Sequence, residues 1–107
     1  MIDTEGLTLQ EYCHKRLYNW CELKGYNVSN TFFVYRGWMN MFLQKFPDPE
    51  NIGLLKIQEF AGKFTNDNTR KGICIIIRWI YEHIYNRIID FREYLLSLHH
   101  FFTHEKH

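Results

Sequence analysis

The chain has 107 residues, 46% of them hydrophobic and 18% aromatic, with 13 Lys+Arg against 12 Asp+Glu for a formal net charge of +1. That length suits one domain and is short for two, and nine Phe, seven Tyr and three Trp supply bulk for a core, which excludes disorder over most of the chain. Six Gly and two Pro are too few for the frequent turns of an all-β domain, and the near-neutral charge excludes a strong overall pull on polyanions, so an all-α fold with local surface chemistry is expected.

After a tail over residues 1–6, Thr8 with Glu11 three positions later makes a capping box, in which the hydroxyl and the carboxylate each satisfy one amide of the opening turn. A first helix is expected from there to Lys24. Leu9, Tyr12, Cys13, Leu17, Trp20 and Leu23 supply its apolar spacing and Gly25 its stop. Ser29 or Asn27 is expected to cap a second helix bearing Phe32, Tyr35, Met39, Phe42 and Phe46, which Pro47-Asp48-Pro49 ends. Leu55, Ile57, Phe60, Ala61 and Phe64 predict a short third helix, closed by Thr65-Asn66-Asp67-Asn68, residues that also start a fourth. In that fourth helix Ile73, Ile76, Ile77, Ile80, Tyr81 and Ile84 repeat at helical spacing without a miss, and this periodicity outweighs the strand preference of isoleucine. From Arg87 onward, Ile88, Ile89, Phe91, Tyr94, Leu95 and Leu98 predict a possible fifth helix, with a frayed, His-rich end over residues 103–107.

Three cysteines, Cys13, Cys21 and Cys74, cannot all pair within one chain, which points to a reduced, cytoplasmic protein, and Cys13 and Cys21, which lack metal or redox spacing, are read as core residues. The opening residues carry no signal-peptide pattern, and the longest apolar run, residues 73–77, is far short of the roughly 20 needed to span a bilayer. No membrane association is expected. His100 and His104 share a helical side, with His99, Glu105 and His107 nearby. No third aligned ligand completes a metal site, and a solvated tail explains them better. Neither a nucleophile elbow nor a phosphate-cradling glycine loop occurs, and the seven tyrosines have no Arg/His cluster beside them, so neither catalysis nor a cofactor is expected.

The local signal lies on two polar faces: Ser29, Asn30, Arg36, Asn40 and Gln44 in the second helix, and Thr69, Arg70, Lys71 and Arg78 in the fourth. Guanidinium and short polar side chains presented from helices suit phosphate and base-edge contacts. An ordinary solvated face is the competing reading, because Glu59, Asp67 and Glu82 dilute the charge.

Several segments in order carry a resemblance: Leu7-Thr8-Leu9-Gln10-Glu11-Tyr12, then Lys24-Gly25-Tyr26, then Ser29-Asn30-Thr31 with Tyr35 and Phe42, then Thr69 with Arg78-Trp79-Ile80-Tyr81. Together, over residues 7–86, they resemble the N-terminal SAM-like, or core-binding, domain of phage integrases and other tyrosine recombinases. The resemblance implies a four-helix orthogonal bundle that clamps double-stranded DNA through its second and fourth helices. Ser29, Asn30, Arg36 and Asn40, with Thr69, Arg70, Lys71 and Arg78, would be its contacts. It also implies that the Arg, Lys, His and nucleophilic Tyr of strand cleavage belong to a second, catalytic domain outside these residues, so this chain is expected not to cut DNA. Residues 87–107 would then dock on that catalytic domain or on a neighbouring protomer. The alternative is a helical adaptor that binds proteins and not DNA, which the apolar content of residues 88–102 favours.

Overall fold

Four α-helices, α1 (Leu9–Lys24), α2 (Phe33–Lys45), α3 (Leu54–Gly62) and α4 (Asp67–His83), form an all-α bundle in a computed structural model that describes residues 2–26 and 28–89. The described residues contain no strand.

The opening of α1 follows its capping box: Thr8 Oγ1 accepts from the Glu11 amide at 3.1 Å, and Glu11 Oε1 accepts from the Thr8 amide at 3.2 Å. Its other end closes as a Schellman motif. Gly25 sits at φ 73°, ψ 18°, its amide donates to the Glu22 carbonyl at 3.1 Å, and the Tyr26 amide donates to the Cys21 carbonyl at 3.0 Å. The left-handed φ is the reason glycine stands at this position. Residues 4–7 form a tight turn in which Thr4 Oγ1 donates to the Leu7 carbonyl at 2.6 Å, and Ile2 packs against the core.

The second helix starts differently from the sequence expectation. A π-helical turn, Val28–Phe32, runs directly into α2, and Phe32 is already helical at φ −62°, ψ −45°, so no side chain caps the α segment. Ser29 lies inside this turn and not ahead of the helix. The alternative cap, Asn27, lies outside the described residues. After α2 a short 3-10 turn, Pro49–Asn51, leads into α3, and the buried Tyr81 hydroxyl donates to the Pro49 carbonyl at 2.6 Å. The α3 helix ends at Gly62, leaving Phe64 beyond it. α4 then opens on Asn66, whose Oδ1 accepts from the Thr69 amide at 3.1 Å.

α4 is the central element. Gly72, Ile73, Cys74, Ile76, Ile77, Trp79, Ile80 and Tyr81 are all buried, more than one apolar stripe accounts for, because α2 and α3 both pack against it. Cys13, Leu17 and Cys21 of α1, Met39, Phe42 and Leu43 of α2 and Ile57, Phe60 and Ala61 of α3 complete the core. Each large aliphatic or aromatic side chain removed from water stabilises the fold by about 1.5–3 kcal/mol. Phe46, Phe42, Phe60 and Phe64 form a run of edge-on or tilted ring contacts at 5.3–5.7 Å, which ties α2 to α3. All six residues of the α4 repeat are buried, Ile84 among them, whereas Leu23 of the α1 repeat is 88% exposed and Leu55 of the α3 repeat is also exposed.

The chain leaves α4 at Ile84, turns through Asn86 at φ 54°, and returns so that the Arg87 amide donates to the Tyr81 carbonyl at 2.8 Å. Residues 87–89 are not helical, so no helix starts at Arg87; the remainder of the expected fifth helix, and the His-rich end, lie outside the described residues. Among the described residues no helix is long and apolar enough to cross a membrane.

Candidate nucleic-acid interface

Of the eight contacts that the resemblance implies, the Ser29 side chain lies outside what the structure describes, and the other seven differ in how far they are engaged. On α2, Asn30 precedes the helix and is exposed, while the Arg36 guanidinium lies over the Phe33 ring at 4.6 Å and the Phe32 ring at 5.5 Å. Stacking on two rings holds Arg36 against its own helix. Asn40 is turned toward α1: its Oδ1 accepts from Gln10 Nε2 at 2.7 Å and lies 2.6 Å from His14 Nε2, which fits a donating Nε2–H. The outward side of α2 carries Phe33, Val34 and Met41, each two-fifths to one-half exposed.

On α4, Thr69 lies in the first turn, where its backbone amide is satisfied by the Asn66 cap. Arg70 is only 12% exposed; one guanidinium nitrogen donates to the Phe64 carbonyl at 3.1 Å and another pairs with Asp67. It braces the corner between α3 and α4. Lys71 and Arg78 are exposed, and among the described residues neither forms an ion pair. Seven residues apart on one helix, they fall on the same side at about 10 Å separation along the axis. Ile75, half-exposed, lies between them.

Arg78 also lines a shallow hollow of about 170 Å³ with Trp20, Ile75, Trp79, Glu82 and His83. Trp79 and His83 stack there at 5.0 Å, and Trp20 meets both rings edge-on at about 6 Å. A second hollow, of about 210 Å³, lies between the end of α2 and α3, lined by Lys45, Phe46, Lys56, Glu59, Phe60 and Lys63. Sequence reasoning missed this lysine cluster. Lys56 and Lys63 are seven apart and legible as one face, but only the packing of α3 on α2 brings Lys45 to them.

The titratable groups of the core are shifted toward their neutral forms. Burial pushes the Cys13 thiol up to about 12, and it pushes Cys74 up to about 11 despite the opposing charges of Arg70 and Arg78. Burial likewise raises Tyr81 to about 12 and Tyr85 further still. At neutral pH these groups are protonated, the reverse of what an activated nucleophile requires. All three cysteines are free and buried, which agrees with the core reading of Cys13 and Cys21 and adds Cys74 to them.

No family model, no curated protein and no solved structure matches the chain.

Proposed function

We propose that this chain is the DNA-binding module of a site-specific tyrosine recombinase of the phage integrase kind, positioning a catalytic domain on duplex DNA and contributing affinity and register without strand cleavage. The observation that carries the reading is the pair Lys71 and Arg78, two unpaired cations on one exposed side of α4; Thr69, about 160–180° around the helix from them, does not share that side. Exposed cations are suited to phosphate oxygens. Asn30 is exposed and, among the described residues, unengaged, Arg36 is stacked on rings, and Asn40 and Arg70 are occupied, so the binding is led by phosphate contacts with little base readout. In this reading the segment from Arg87 onward docks on the catalytic domain or on a neighbouring protomer, and Ile88, 83% exposed, begins that surface.

Fluorescence anisotropy of a labelled duplex at several salt concentrations tests it. Each phosphate contact contributes about −0.9 to the slope of log K against log salt, so the Lys71→Ala, Arg78→Ala double substitution reduces the slope by about two. An unchanged slope, or no binding by the parent chain at low salt, refutes the duplex reading.

A second reading, a protein-interaction bundle, is favoured by one observation: the outward face of α2 presents Phe33, Val34 and Met41 where a groove-reading helix carries polar side chains. Duplex binding that survives Phe33→Ser and Val34→Ser separates the two.

A further inference from the structure

We propose that the hollow between the end of α2 and α3 is a binding site for a phosphate monoester carried on a flat, apolar group. Three lysines line it from separate positions: Lys45 in the last turn of α2, Lys56 in α3, and Lys63 just beyond the end of α3. Among the described residues none of the three forms an ion pair or a hydrogen bond, nor does Glu59, the one carboxylate in the lining. The lining therefore holds two positive charges in excess, and gathering like charges around one concavity is unfavourable until an anion enters it.

The floor specifies the rest of the ligand. Phe46, partly buried, and Phe60, 9% exposed, meet edge-to-face at 5.7 Å, and Phe60 also meets Phe42 and Phe64 at 5.7 and 5.5 Å, so the ring edges left open are fixed before anything binds. Ring surface beside ammonium groups accepts a flat apolar body whose charge sits at one end. A phosphate monoester carries about −1.5 to −2 at neutral pH, which matches the excess, and lysine is a phosphate binder that acts as a point charge. A diester, with a single charge and a substituent on either side, matches neither the charge nor the concave shape. The site is distinct from the stripe formed by Lys71 and Arg78, so failure of the duplex reading leaves it standing.

The test uses the full 107-residue chain and phenyl phosphate, followed by amide NMR shifts at constant ionic strength. Saturable shifts concentrated at residues 45–46 and 56–63 are expected, and Lys56→Gln and Lys63→Gln, both on exposed side chains, each weaken binding about fivefold. Dimethyl phosphate and inorganic phosphate bind more weakly than phenyl phosphate, the first for want of charge and the second for want of a ring. Phosphotyrosine amide and a nucleoside monophosphate then separate the two sources of such a group, and the tighter of them names the source. Shifts spread evenly over all lysines, affinity unchanged in both Lys→Gln variants, equal response to dimethyl phosphate, or binding of neither compound overturns the proposal.

Discussion

Alanine at position 72 probes the seam between α2 and α4. A Cβ built on Gly72 stands 2.1 Å from Trp38 Cζ3, 2.2 Å from Cη2 and 3.0 Å from Cε3. Carbon atoms in contact settle at about 3.5–4.0 Å, so the indole has to retreat by about 1.5 Å or the helices have to part. Trp38 packs against the core and sits 5.9 Å from the Tyr35 ring, which limits its retreat. Overpacking of this kind costs about 1–3 kcal/mol, and this overlap belongs at the upper end of that range. Replacing glycine within a helix returns about 1 kcal/mol of propensity, which leaves a net loss of about 1–2 kcal/mol. For a domain of this size that lowers the melting midpoint by about 5–15 °C, measurable by circular dichroism or calorimetry. The background decides the mechanism. With Trp38→Ala already in place the clash is gone, so Gly72→Ala should then raise the midpoint by its propensity alone. A single Gly72→Ala variant as stable as the parent, or the same sign of effect in both backgrounds, refutes the steric argument.

The capping box supplies another expectation: Thr8→Ala should destabilise α1 by about 1 kcal/mol in a thermal melt. The Thr8 side chain and backbone hold the Glu11 carboxyl below its ordinary value of 4.5. A lowered carboxyl favours the fold above its ordinary range and loses that contribution as pH falls through it, so Glu11→Gln should flatten the acid side of a melting-temperature profile. Tyr81→Phe removes the bond to the buried Pro49 carbonyl and should cost about 1–3 kcal/mol by urea titration. Because burial raises Tyr81 from 10 to about 12, its contribution is complete below pH 10 and fades between 10 and 12. The same variant should therefore show a shallower alkaline loss over that interval.

Local chemistry made α1 and α4 readable. Thr8, Glu11 and Gly25 act within a few residues of themselves, Asn66 caps where turn-formers cluster, and the isoleucine spacing of α4 registers a helix packed by its neighbours. Where a residue's fate depended on a distant partner, the sequence was silent or misleading. Leu23 fits the α1 repeat, yet among the described residues no neighbour covers it at that end of the helix, and it stays 88% exposed. Asn40 reads as a free donor on a polar face until α1 brings Gln10 and His14 to its oxygen from 30 and 26 positions away. Arg70 reads as a surface cation but is spent on the Phe64 carbonyl and Asp67. The π-helical turn before α2 has no compositional signature, since Ser29 within it suits a cap equally well.

The Tyr81–Pro49 bond reaches beyond its own contribution to stability. Pro49 lies on the short bridge joining α2 to α3, and the two lips of the lysine hollow are the end of one helix and the body of the other. A hydroxyl on α4, lining no part of that hollow, therefore works as a rivet for its jaws: drawing it would let Lys45 drift relative to Lys56 and Lys63 while all three kept their charge and their solvent. The spacing of a surface concavity in this molecule thus leans on a bond in its interior, away from the residues that line it.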